Sequence, residues 1–168
     1  MRLIAIDSGA NGGICVWNLE TQQFVLEKLT GDTVETLKPI MDKHFERTDD
    51  IELVVIERPP RFMGTMIPAS RIAVLFEAFG ITIGYLMAKN VKVKEITPQE
   101  WQRHIRDEKG IKRGEIKHAE WKKQLTIYAR ANYGERKDLT NQTADALLIA
   151  DWYFNVYNPL LRKIPDTK

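Results

Sequence analysis

The sequence predicts an α/β domain, a mixed five-stranded sheet flanked by helices on both faces. Two observations predict it. Five apolar runs have the length and branched-residue content of buried strands. The segments between and after them carry apolar residues at helical spacing instead of alternation. The order is three strands, helix, strand, long helix, strand, then helices, which suits a sheet with helices on both sides.

Residues 2–7 open the chain as a strand, too short and too branched for a helix. Ser8 to Gly13 read as a turn, with three glycines available for positive φ. Residues 14–18 and 23–29 follow as strands joined by a hairpin loop at 18–22. A helix is expected over residues 33–46, where Val34, Leu37, Ile40, Met41 and Phe45 share a stripe and Pro39 shortens or bends it. Residues 51–57 form the fourth strand, stopped by Pro59-Pro60. Residues 60–68 read as a loop exposing Phe62, Met63 and Met66. A long helix is expected over residues 69–89, with Ile72, Leu75, Phe76, Phe79, Ile83, Leu86 and Met87 on its apolar positions. Gly80 and Gly84, four apart, serve either close packing on the chain's own sheet or a contact with a second copy.

Residues 91–96 give the fifth strand. Thr97, Pro98 and Glu100 then supply the cap, first-turn proline and acid of a helix start leading into Trp101 and Ile105. Residues 106–117 are polar, basic and broken by glycine, so a mobile segment is expected there. A helix over 114–132 carries Trp121, Leu125 and Tyr128 on one stripe; Lys123, Arg130 and Lys137, seven apart, mark a basic stripe if the helix reaches that far. The last helix starts near Thr140 or Asn141 and runs to about Tyr157, leaving a tail at about 158–168. The whole chain, 1–168, reads as one domain.

The composition, 43% hydrophobic and 29% charged, is that of an ordinary globular protein. No uninterrupted apolar run reaches the ~20 residues needed to cross a bilayer, and the N-terminus lacks the pattern of a signal peptide. An intracellular location, in a bacterium or a phage-infected host, and no membrane partner are therefore expected. The lone Cys15 lies in an apolar stretch and reads as a small core residue. The net charge of +2 hides an asymmetry: residues 1–88 balance to −4, residues 89–137 to +7 and residues 138–168 to −1. A basic block beside an acidic cluster suits a protein that holds a polyanion over metal ions. A solvated helix face is the other reading. His44, His104 and His118 are scattered and read as ordinary surface or core residues.

Three carboxylates stand out. Asp7 ends the run Leu3-Ile4-Ala5-Ile6, Glu57 ends Leu53-Val54-Val55-Ile56, and Asp145 opens Ala146-Leu147-Leu148-Ile149-Ala150. A carboxylate at the end of a buried strand costs stability unless it is paired or bound to a cation. Together the three suggest one acidic cluster at one end of the sheet, a cradle for Mg²⁺ or Mn²⁺ with open positions for a phosphate. Two such ions, about 3.5–4 Å apart, stabilise the attacking and leaving oxygens of a phosphodiester displacement. On a helix Gln142 shares a face with Asp145, so it is the first choice for a fourth ligand; Asn141 reads better as a cap.

The pieces Leu3-Ile4-Ala5-Ile6-Asp7-Ser8-Gly9, Val55-Ile56-Glu57, the helix with Gly80 and Gly84, the segment from Ile96 to Trp101, and Thr143-Ala144-Asp145-Ala146-Leu147-Leu148-Ile149-Ala150 occur in a telling order. In that order the chain resembles a RuvC-type Holliday junction resolvase, in the divergent form common among phages, over about residues 1–157. The resemblance implies an RNase H-like fold, a homodimer, and Mg²⁺- or Mn²⁺-dependent cleavage of four-way DNA junctions. It implies that Asp7, Glu57 and Asp145 are catalytic metal ligands. Two departures accompany it. Ser8 stands where the family often has proline, and Gln142 stands where it usually has a further acid or a histidine, which lowers the charge available to a second metal. Phe62 falls in the loop where such resolvases present an aromatic to the junction centre, with packing on its own loop as the alternative. Arg61, Lys109, Lys112, Arg113, Lys117, Lys123 and Arg130 are the expected DNA contacts. The start Ile6 to Gly13 also resembles the first phosphate loop of the sugar kinase, actin and heat-shock ATPase superfamily. Those proteins need two such domains, so no nucleotide cofactor is expected in a chain of 168 residues. The remaining readings are a related nuclease acting on other branched DNA or RNA–DNA hybrids, and an inactive branched-DNA-binding module.

Overall fold

The structure, a computed structural model, describes residues 1–9, 11–60, 67–112 and 114–159. Phe62, Arg61, Arg113, Met63, Met66 and most of the expected C-terminal tail lie outside the described residues.

Five strands form one mixed sheet: β1 (Arg2–Asp7), β2 (Asn11–Asn18), β3 (Phe24–Thr30), β4 (Ile51–Glu57) and β5 (Val93–Ile96), in the order β3-β2-β1-β4-β5. The first three pair antiparallel, whereas β4 lies parallel to β1 and β5 parallel to β4. The helices are α1 (Val34–Phe45), α2 (Ala69–Ala88), α3 (Pro98–Lys109), α4 (His118–Tyr133) and α5 (Ala144–Trp152), with a π-helical turn over Tyr153–Tyr157.

Strand alternation sorts the core into two layers. Leu3, Ala5, Cys15, Trp17 and Val55 face α3, α4 and α5. Ile4, Ile6, Ile14, Val54 and Ile56 face α1 and α2. Every residue of α5 is buried, because the sheet covers one side and α3 and α4 cover others. That explains a helix apolar almost all round, with Asp145 and Asp151 as its two charges. Asp151, 3% exposed, accepts hydrogen bonds from Tyr133 Oη and from Asn155 Nδ2 at 2.7 Å, and lies 3.3 Å from His104 Nε2. Buried polar groups are retained where they are bonded in this way.

Several boundaries differ from the sequence expectation for identifiable reasons. Pro39 does not break α1, since Leu37, Met41 and Phe45 hold its apolar stripe in the core on both sides of the proline. Residues 106–109 belong to α3, which ends at Gly110 in the left-handed region (φ 63°). The α4 helix starts at His118, not Gly114, whose φ of 88° is non-helical. It stops at Tyr133, so Lys137 is off the expected stripe. The α5 helix starts at Ala144; Thr140 and Thr143 form a hydroxyl-bonded turn before it, in which Thr143 Oγ1 donates to the Asp138 carbonyl at 2.5 Å.

The α2 helix is the one described helix long and apolar enough to cross a membrane, since Arg71 and Glu77 are its only charged residues. Within the domain its buried residues are Ala78, Thr82 and Leu86, and Tyr85 Oη donates to Asp42 of α1 at 2.8 Å. Its other side is open: Phe76 is 41% and Met87 73% exposed. Among the described residues a Cβ added at Gly80 or Gly84 would meet nothing within 4 Å, so neither glycine serves packing on the chain's own sheet.

The glycines after β1 act through space instead of positive φ, which neither Gly12 nor Gly13 adopts. A Cβ on Gly13 would lie 2.8 Å from the Gln142 carbonyl oxygen and 2.9 Å from Thr143 Cα. Gly13 pairs with Asp7 in the β1–β2 register. Its missing side chain therefore lets the entry to α5 settle beside Asp7. We expect Gly13→Val to push that entry off the sheet and to destabilise the fold by about 1–3 kcal/mol, as overpacking does. Denaturant unfolding measures the loss; an unchanged midpoint would remove Gly13 from this role.

Candidate active site

Asp7 and Glu57 are direct partners across the parallel β1–β4 pairing. Side chains alternate along a strand, so Asp7 follows Leu3 and Ala5, and Glu57 follows Val55, onto the α5 side of the sheet. Asp145 lies in the first turn of α5, whose packing on β1 and β2 brings it to the same end. The structure thus brings the three carboxylates into one neighbourhood, close enough that Asp145 raises the pKa of Asp7, and Asp7 and Asp145 together raise that of Glu57.

Each has a defined support. Asp7 Oδ1 accepts the Gly9 backbone N–H at 3.2 Å. Ser8 Oγ donates to the Glu57 carbonyl oxygen at 3.0 Å, which ties the ends of β1 and β4 together. Glu57 Oε2 accepts the indole N–H of Trp101, a fully buried residue of α3. Asp145, 2% exposed, is ion-paired through Oδ2 to Lys122 Nζ of α4. Its other oxygen, Oδ1, is buried and has no hydrogen-bond partner among the described residues.

The electrostatics follow from burial and crowding. Burial, then the neighbouring Asp7 and Asp145, push Glu57 up to about 8, against the Trp101 hydrogen bond and Lys122. Burial raises Asp7 to about 6; Lys122 opposes that rise and Asp145 adds to it. Burial alone would depress Lys122, but Asp145, Asp7 and Glu57 outweigh it and hold the ammonium protonated well above its usual range.

Gln142 precedes α5 instead of lying within it, and its Nε2 donates to Asn11 Oδ1 at 3.3 Å. Asn141 is not the cap of α5; its Oδ1 accepts from Thr126 Oγ1 at 3.0 Å. Among the described residues no three His, Cys, Asp or Glu stand at metal-holding spacing. The donor chemistry nevertheless fits a hard divalent cation, which takes carboxylate oxygens, and the orphaned Oδ1 of Asp145 is a free acceptor inside the cluster. Lys122 is the positive charge that meets the trio in their place.

A cleft of about 1200 Å³ opens from Glu57, between the start of α2 and the α3–α4 connection. Arg103, Arg106, Lys112 and His118 line it. Of the expected DNA contacts, Lys112 lies in this cleft. Lys109 reaches over the Tyr128 ring at 5.5 Å, Lys117 immediately precedes α4 without a capping hydrogen bond from its side chain, and Arg130 pairs with Glu135 at 3.5 Å. Lys123 lies on α4 beyond the lining of the cleft. The sequence reading missed Lys122, Trp101, Arg103 and Arg106. Helical phase was the available signal for Lys122, which precedes the buried Leu125 and Thr126 by three and four positions.

No family model matches the chain, and no curated protein does. Solved structures do. Thermus thermophilus RuvC in complex with a Holliday junction substrate superposes with a TM-score of 0.55 at 14% identity, over 94% of this chain and 98% of that one. Thermus thermophilus RuvC in a second structure gives 0.53 at 16% identity, covering 91% and 95%. The yeast mitochondrial Holliday junction resolvase Ydc2 gives 0.49 at 14% identity, over 95% and 84%. The chain has the RNase H-like fold of RuvC, as its mixed five-stranded sheet and two-sided helix layers also show.

Asp7 and Glu57 bind protons more tightly folded than unfolded, so each contributes stability that is complete below its unfolded pKa and is lost as pH rises through its folded value. With ordinary carboxylates near pH 4, the chain in chelator should lose stability progressively up to about pH 8. Glu57→Gln should remove the upper part of that decline, between about 6 and 8. Denaturant midpoints at fixed pH values measure it, and superimposable wild-type and variant profiles would contradict it.

Proposed function

We propose that the chain is a divalent-metal-dependent endonuclease that resolves four-way DNA junctions by paired symmetric nicks. One observation carries the reading: Asp7 and Glu57 are paired across parallel strands, with Asp145 opening the helix packed on them, in a chain of RuvC-like fold. Thermus thermophilus RuvC, a solved structure of that fold, was seen with a Holliday junction substrate.

Asp7, Glu57 and Asp145 would hold Mg²⁺ or Mn²⁺, two ions per site, with Gln142 able to add a neutral carbonyl oxygen. When bound, such ions activate a water and stabilise the charge that develops on the scissile phosphate. The chain's own residues do the rest. Trp101 and Ser8 fix Glu57 and its strand end. The lining of Arg103, Arg106 and Lys112 offers the phosphate backbone a positive wall leading to Glu57. Lys109, Lys117, Lys123 and Arg130, with Arg61, Phe62 and Arg113, are proposed to extend this contact.

Asp7→Asn, Glu57→Gln and Asp145→Asn should each abolish nicking of a labelled junction in Mg²⁺ or Mn²⁺ while junction binding persists. Loss of groups that merely support a metal ligand costs ~10–100-fold, and loss of a ligand should exceed that. Normal nicking by any one variant would strip that residue of its role. Duplex, flap and RNA–DNA hybrid substrates in the same assay decide between junction resolution and a related nuclease activity, and binding without nicking by the wild type would indicate an inactive binding module.

Two opposed nicks need two sites, and a two-fold dimer supplies them. The open stripe of α2 around Phe76, Gly80, Gly84 and Met87 supports that surface as the homodimer contact. Gly84→Glu should give folded monomers. The added Cβ meets nothing within 4 Å among the described residues, and replacing a helical glycine gains up to about 1 kcal/mol of helix propensity. Sedimentation with circular dichroism reads both properties, and a persistent dimer would move the interface elsewhere.

A further inference from the structure

We infer that Lys122 is an internal cation that competes with divalent metal for Asp145 and Asp7, so that metal enters the site by exchange with the lysine ammonium. This rests on the metal-dependent reading above. Three observations support it. Lys122 Nζ is ion-paired to Asp145 Oδ2 from a neighbouring helix. Asp145 is 2% exposed and its Oδ1 is buried without a partner, so the carboxylate is only half satisfied by the lysine. Among the described residues no three acids stand at metal-holding spacing, and the ammonium of Lys122 sits among Asp7, Glu57 and Asp145.

The charge balance gives the exchange its direction. Three carboxylates with one ammonium carry about −2 when ionised, matched to one divalent ion, and the neutral Gln142 adds nothing. A second ion meets a site already neutralised unless the ammonium leaves. Lys122 can leave: its side chain is 36% exposed, whereas Asp145 is buried in a helix fixed on all sides. A long flexible stem lets an ammonium move without moving its helix. A backbone N–H would lack that freedom. Occupation by Lys122 also explains how buried Asp145 is tolerated beside Asp7 and Glu57 without metal, since removing one partner from such a pair leaves an uncompensated buried charge.

The test measures metal binding without turnover. Mn²⁺ is titrated calorimetrically into the wild type, Lys122→Met and Lys122→Gln, each folded by circular dichroism, with Asp7→Asn as control. The neutral variants should bind Mn²⁺ at least about tenfold more tightly, as expected for deleting a like charge within a few ångströms. They should also take up more ions per chain than the wild type. A second measurement needs no folded variant: the Lys122 side-chain ammonium resonance of the wild type should shift on titration with Ca²⁺ as the ion pair opens. Equal or weaker Mn²⁺ binding by the neutral variants, or a stationary Lys122 signal at Ca²⁺ saturation, would overturn the exchange while leaving the metal-dependent reading intact. No Mn²⁺ binding by wild type and neutral variants alike, or wild-type binding that Asp7→Asn leaves unaltered, would overturn both.

Discussion

Three carboxylates held at the end of an apolar sheet, where water solvates them poorly, form the constraint on which this architecture turns. Their repulsion raises Glu57 and Asp7 and favours any cation that reaches them. The surrounding structure holds them there. The Ser8 hydroxyl ties the two strand ends, the Trp101 indole directs Glu57, Gly13 leaves room for the entry of α5, and Lys122 supplies the compensating charge. Remove the cluster and there is no physical reason for an indole nitrogen, a lysine and a crowding glycine to converge from three elements.

Much of this was legible in the chain. The strand runs ending in Asp7 and Glu57 gave both their position and their face, because alternation is rigid and the core residues beside them are unambiguous. The Thr97–Glu100 capping box was equally readable, since its two reciprocal hydrogen bonds are local. What escaped was non-local. A lysine on a mostly polar helix looks like a surface residue, and only the approach of α5 turns Lys122 inward. Trp101 looks like core because its apolar body is core; its single polar atom has meaning only opposite Glu57. Gln142 looked helical because the pattern after it is helical, but the hydroxyls of Thr140 and Thr143 bond locally and delay the helix.

The two sides of the sheet divide the tasks. The α3–α4–α5 side buries a larger, aromatic-rich cluster and carries the acids; the α1–α2 side leaves the outer face of its long helix open. The glycines of α2 illustrate how a sequence feature with two readings is decided by empty space: nothing among the described residues requires Gly80 or Gly84 to lack a side chain.

Cys15, last, is fully buried on β2, and burial pushes its thiol far above the usual range, so it stays protonated and out of reach of reagents in water. It is also the chain's single cysteine. A cysteine introduced on the exposed face of α2 or along the cleft would therefore be the one nucleophilic sulfur available to a maleimide. The native thiol needs no removal for site-specific fluorophores, spin labels or crosslinkers to report on assembly and on DNA engagement.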